Sequence, residues 1–215
     1  MPKRRKPSAQ TPLPTLRIFC EGEKTEPNYL NGYIRTLDSN ERKKVVQVEP
    51  TTVNTAVQLV DAAIRLKELP LSLPDDEFWV VYDRESVTKY SDTLHAQARL
   101  KADNAGIKIA ICNVCFEYWF LIHFVDTDAP YSNYDDLIKN SALKTEIKKE
   151  CGCDYEKSLR SIFEMLKDRM AEARKRASRL NAKGIKNANP TKCAPYQINP
   201  YVGIIYLLDA IDDFE

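Results

Sequence analysis

The chain has 215 residues, 43% hydrophobic and 29% charged, with a net charge of +1. That balance supports a buried core and excludes a disordered chain, and only six glycines argue against a glycine-rich all-β fold. The longest fully apolar runs, such as 118–122, are far too short to span a membrane.

Residues 1–14 are basic and carry Pro2, Pro7, Pro12 and Pro14, which predicts a disordered arm. Lys3–Lys6 is followed by polar residues and prolines, not by the apolar stretch of a secretory signal. A chain of this size does not need its six cysteines as a disulfide framework. The expectation is a reduced, cytoplasmic protein.

A first strand is predicted at 15–20. Pro27 suits the first turn of a helix, with Tyr29, Leu30, Tyr33, Ile34 and Leu37 at helical spacing. Val45–Val48 reads as a second strand. Asn54 or Thr52 is expected to cap a helix whose apolar face is Val53, Val57, Val60 and Ile64. Residues 78–82 form an uninterrupted apolar strand, as expected where both faces are covered. A helix over about 90–104 stops near Gly106, followed by a strand over 107–112 and an apolar helix over 116–124 that carries Glu117. This βαβαβαβα alternation over 15–125 predicts a mostly parallel four-stranded sheet with helices on both faces.

The remainder, 126–215, reads as a mainly helical extension. One short helix is expected near 134–149 and a long basic helix over about 157–183. Residues 157–186 hold ten Lys and Arg against three acids. Leu159, Phe163, Leu166, Met170, Ala173, Ala177 and Leu180 give a heptad-like apolar seam that would suit a homodimer. Arg160, Lys167 and Arg174 recur every seven residues, and Arg176, Arg179 and Lys183 widen the basic surface. Such a stripe best fits a nucleic-acid backbone; the competing reading is a solvated face that pairs with the acidic remainder of the chain or docks an acidic partner. Asn199-Pro200 is expected to cap a last helix containing Ile204, Ile205, Leu207 and Leu208.

Chemistry concentrates where two strands end. The first runs into Glu21-Gly22-Glu23-Lys24-Thr25-Glu26, the second into Asp83-Arg84-Glu85. Carboxylates gathered at strand ends in an open α/β sheet repel one another, and a divalent cation offsets that. With strand order 2-1-3-4, Glu21 and Asp83 flank one crevice at the topological switch point. Asp83 and Glu85, two apart, point the same way in an extended segment. The competing reading pairs Arg84 with one of them in a solvated loop. Glu26 and Glu117 sit at helix starts, where an acid also interacts favourably with the helix dipole. Glu23 and Lys24 are expected to face solvent or pair locally, and Lys24 is also placed to touch a phosphate near a metal. His123 reads as a packed histidine, and His95 carries no signal. Cys112-x-x-Cys115 with Cys151-x-Cys153 offers a weaker, zinc-binding alternative. No G-x-x-x-x-G-K-[ST] occurs, so the chain is not a P-loop ATPase.

Laid out this way, the chain resembles the RloB-like family, itself similar to the Toprim domain. The resemblance rests on Cys20-Glu21-Gly22-Glu23-Lys24-Thr25-Glu26-Pro27-Asn28-Tyr29, on Tyr82-Asp83-Arg84-Glu85, on the segment from Cys112-Asn113-Val114-Cys115 to His123-Phe124, and on Asn199-Pro200-Tyr201. Two departures stand out: Val114 replaces the family's usual proline, and Glu85 replaces the second Asp of a Toprim Asp-x-Asp pair. The resemblance implies a nuclease of bacterial anti-phage defence. In it Glu21, Asp83, Glu85 and Glu26 hold Mg²⁺, or Mn²⁺, Glu117 joins the catalytic set, and an ATPase acts as partner. The alternative is a non-catalytic Toprim-like module that binds a nucleotide or nucleic acid and signals to that ATPase.

Overall fold

A computed structural model describes residues 12–37 and 44–214. The basic arm predicted for 1–14 lies outside the described residues except for 12–14.

Five strands form one sheet: β1 (Thr15–Cys20), β2 (Val45–Glu49), β3 (Glu77–Asp83), β4 (Lys108–Asn113) and β5 (Tyr201–Val202). The order is β2-β1-β3-β4-β5. The first four run parallel and in the expected 2-1-3-4 order, whereas β5 pairs antiparallel with the last two residues of β4. The sheet is thus five-stranded, one strand more than the alternation predicts. Residues 199–202 do not cap a helix: Asn199-Pro200 leads into β5, and Gly203 precedes the final helix. A Cβ on Gly203 would lie 2.4 Å from the carbonyl oxygen of Ile111, so only glycine lets β5 come this close to β4.

Nine α-helices lie within the described residues. Two of them, α2 (Ala56–Lys67) and α3 (Asp92–Ala105), cover one face of the sheet. Thr55, not Asn54 or Thr52, caps α2, its side chain accepting from the Gln58 amide. Ser91 caps α3 in the same way, and Gly106 ends it in the left-handed conformation. Phe19, Phe78, Val80 and Tyr82 point to this face.

The other face carries α1 (Thr25–Thr36), α4 (Glu117–Phe124), α5 (Tyr134–Asn140), α6 (Leu143–Cys151), α7 (Ile162–Leu166), α8 (Met170–Asn187) and α9 (Ile204–Asp213). One short helix was expected near 134–149; there are two, broken at Ser141-Ala142. Leu16, Ile18, Cys20, Trp79 and Val81 face this larger core, alternating with the residues above as the strand period requires. Helix α4, buried from Glu117 to His123 with Trp119 and Phe120 at 0% exposure, fills its centre.

The long helix begins at Ile162 rather than 157 and is broken by a 3₁₀ turn at Lys167–Arg169. Its start is displaced because two carbonyls are already engaged: Thr25 Oγ1 donates to Lys157 O (2.6 Å) and Asn28 Nδ2 to Ser158 O (3.2 Å). Those bonds hold 157–158 against α1. The heptad-like seam is filled from within, Phe163, Leu166, Ala173, Ala177 and Leu180 being buried in the chain's own core.

Candidate active site

The crevice at the carboxyl ends of β1, β3 and β4 is a cleft of about 550 Å³. Six carboxylates line it: Glu23, which is exposed, and Glu21, Glu26, Asp83, Glu85 and Glu117. Each arrives from a different local device. Glu21 extends β1, its amide donating to Val81 O (2.9 Å). Asp83 ends β3 on the side shared with Trp79 and Val81. Glu117 opens α4. Glu26 lies in the first turn of α1 and folds back so that Gly22 N–H donates to its Oε1 (3.3 Å). A Cβ on Gly22 would sit 2.1 Å from Glu26 Oε2, so the glycine makes room for that carboxylate.

Asp83 and Glu85 do not pair with the arginine between them. Arg84 points to the opposite side, 2% exposed, its Nη2 on Asp92 (2.7 Å), its Nη1 on Tyr90 O and its Nε on Tyr196 O. His95, stacked between Tyr82 and Tyr196, completes this clamp. The alternation that turns Asp83 toward the cleft turns Arg84 away from it. Glu85 adopts a positive φ of 57°, an uncommon conformation for a residue with a side chain. It is ion-paired with Lys89 (2.8 Å).

The electrostatics of the cleft are unfavourable as it stands. Burial, with the charges of Glu85 and Glu26, pushes the Glu21 carboxyl up to about 7, although the Asp83 amide donates to it (3.1 Å). Burial and the charge of Glu117 push Glu26 up to about 7 as well. Asp83 is raised well above the usual carboxylate range by burial and by all four neighbouring acids. Tyr155 donates to Glu117 Oε1 (2.9 Å), but Glu117 Oε2 and Asp83 Oδ1 are buried without any partner. Buried acceptors are rarely left so. Among the described residues no three His, Cys, Asp or Glu side chains stand close enough together to share one metal ion. The carboxylates surround a common space and hold hydrogen bonds away from one another, as mutually repelling anions do. Orphaned hard oxygen acceptors in a shared cleft fit the donor chemistry of Mg²⁺ or Mn²⁺.

Three lysines border the acids: Lys24, Lys89 and Lys157. Only Lys24 stands out in the sequence analysis. Lys89 follows Glu85 by four residues, the one local signal for it. Lys157 is indistinguishable in sequence from the other cations of the basic segment.

The profile of the RloB-like protein family matches residues 16–211. The chain belongs to the RloB-like family. No curated protein and no solved structure matches it.

The predicted basic surface is dispersed in this RloB-like chain. Arg174 pairs with Asp209 (3.0 Å) and Asp212 (2.7 Å) and donates to Tyr33. Arg176 donates to Ile122 O, Arg179 pairs with Asp126, Lys183 with Asp128, and Lys167 with Glu164. Arg160 precedes α7 and forms no ion pair among the described residues, nor do Lys24 and Lys157. The four cysteines of the zinc alternative are free thiols, Cys112 and Cys115 fully buried. His123 is buried, its ring 4.4 Å from that of Trp119. No helix of the described residues is long and apolar enough to cross a membrane.

Proposed function

We propose that this chain is a metal-dependent nuclease effector of bacterial anti-phage defence, hydrolysing phosphodiester bonds in DNA or RNA. The observation that carries the reading is the cleft itself: six acids about the ends of β1, β3 and β4, with two buried carboxylate oxygens lacking any partner. Glu21, Asp83, Glu85 and Glu26 would hold Mg²⁺ or Mn²⁺. When bound, the ion neutralises a phosphoryl oxygen and acidifies a ligated water. Glu117, fixed by Tyr155 through one oxygen, keeps its other oxygen available to accept a proton or orient water. Glu21 and Glu26, raised to about 7, would be partly protonated near neutral pH without the cation and would lose those protons on binding it. Lys24 and Arg160 supply cationic contacts for the nucleic-acid backbone. ATP hydrolysis, where the defence system uses it, belongs to a partner subunit, since this chain lacks a P-loop.

One observation favours the non-catalytic alternative. No three potential ligands are gathered as the cleft stands, and Glu85 is drawn to Lys89. The two readings part in a cleavage assay on plasmid DNA and total tRNA with Mg²⁺, Mn²⁺ or EDTA, alone and with the partner ATPase. Metal-dependent cleavage that falls at least ~100-fold in Glu21→Gln, with nucleic-acid binding retained, is expected. Binding without cleavage in every arm supports the signalling module.

A further inference from the structure

A strap, residues 155–158, crosses one side of the cleft and is tied to two of its walls. Tyr155 bonds Glu117 at the start of α4; the carbonyls of Lys157 and Ser158 accept from Thr25 and Asn28 on α1. The strap's backbone is thereby fixed relative to the acids, and it places one charged side chain at their border. The Lys157 ammonium lies 4.3 Å from the centroid of the Tyr134 ring, a cation–π contact that holds it in place without neutralising it. It lines the cleft and acts electrostatically on Glu117, Asp83 and Glu26, yet makes no salt bridge within the described residues. Lys89 differs: its charge is already committed to Glu85.

We infer that Lys157 is a substrate-contacting residue, the cation that engages the scissile phosphate once a metal ion occupies the acids. This rests on the nuclease reading of the same cleft. In the empty cleft the ammonium partly compensates the carboxylates. With a divalent cation held by the acids, Lys157 would lose that role, and its ammonium would be left to engage another anion at the mouth of the cleft, which a substrate phosphate would supply. Lys157 therefore opposes metal binding slightly and favours phosphate binding strongly, a pair of opposite effects that a purely structural residue does not produce.

The test uses the full chain as wild type, Lys157→Met, Lys157→Arg and Glu21→Gln, each checked for an unchanged far-ultraviolet spectrum. Mn²⁺ affinity is measured by calorimetry. Affinity for a fluorescein-labelled single-stranded DNA and its RNA equivalent is measured by anisotropy in Ca²⁺. Lys157→Met is expected to bind Mn²⁺ about threefold more tightly and the oligonucleotides about tenfold more weakly, with Lys157→Arg restoring most of the loss. If Lys157→Met matches wild type in both, or weakens both together, the inference fails while the metal site stands. If wild type and Glu21→Gln bind Mn²⁺ equally poorly, the nuclease reading fails and takes this inference with it.

Discussion

The acidic cleft and the basic helix α8 handle charge in opposite ways. On α8 nearly every cation has an acidic partner supplied by the chain: Arg174 two aspartates, Arg179 Asp126 and Glu172, Lys183 Asp128. In the cleft, Asp83 and Glu117 are buried with oxygens that have none. The helix is the more conspicuous in sequence, but the fold neutralises it. Charge left buried and uncompensated costs free energy that a fold does not retain without use. The cleft is therefore where a ligand is called for.

The sharpest way to break that comparison is to neutralise one of the buried acids of the cleft. Glu26 in the fold is raised to about 7 from 4.5, so the folded state retains a proton that the unfolded chain releases. Stability of the metal-free protein should accordingly be greatest below pH 4.5 as far as this group is concerned, fall as pH rises, and be fully reduced above pH 7. Glu26→Gln should gain up to about 3 kcal/mol over wild type at pH 8 in urea unfolding, and much less at pH 5.5. Mg²⁺ should raise wild-type stability more at pH 8 than at pH 5.5. Equal stability of the two proteins at both pH values would mean that the cleft stores no repulsion.

Gly22→Ala acts on the same carboxylate through space rather than charge. Its Cβ would displace Glu26, so Mn²⁺ affinity should fall about tenfold with a stability change of about 1 kcal/mol or less. A smaller effect is expected outside the cleft. Arg160→Ala should weaken oligonucleotide binding several-fold and reduce the salt slope by about one. The least is expected from Arg179→Ala and Lys183→Ala. Their exposed pairs should change stability by no more than about 0.5 kcal/mol and oligonucleotide affinity little. A large loss of affinity in either variant would restore α8 as a binding face.

The core sheet was legible because its signals are local. Apolar runs alternate with amphipathic helices, and acids stand at strand ends, so the neighbouring placement of Glu21 and Asp83 followed from strand order. Glu26 and Glu117 were legible as site candidates for the same reason. What was hidden depends on long-range contacts. Strand β5 has two residues, too few for any periodicity, and exists because it pairs with β4. The helix start was misplaced because Thr25 and Asn28, some 130 residues away in sequence, bond 157 and 158. Lys157 and Tyr155 acquire their roles from the same strap, which no spacing rule marks. Arg84 was weighed as a partner for its neighbours, but strand alternation, followed one residue further, sends it to His95.

Residues 196–203 grip the turns that present the acids. The carbonyl of Tyr196 accepts from Arg84, next to Asp83, and from Asn113; that of Ile198 also accepts from Asn113; Gly203 N–H bonds Ile111 O. Synthesis runs from the amino end, so every carboxylate of the cleft has left the ribosome about eighty residues before this grip is made. A nascent chain thus carries the acids on an unsecured scaffold until residues 196–203 arrive. The order of translation itself postpones the finished cleft.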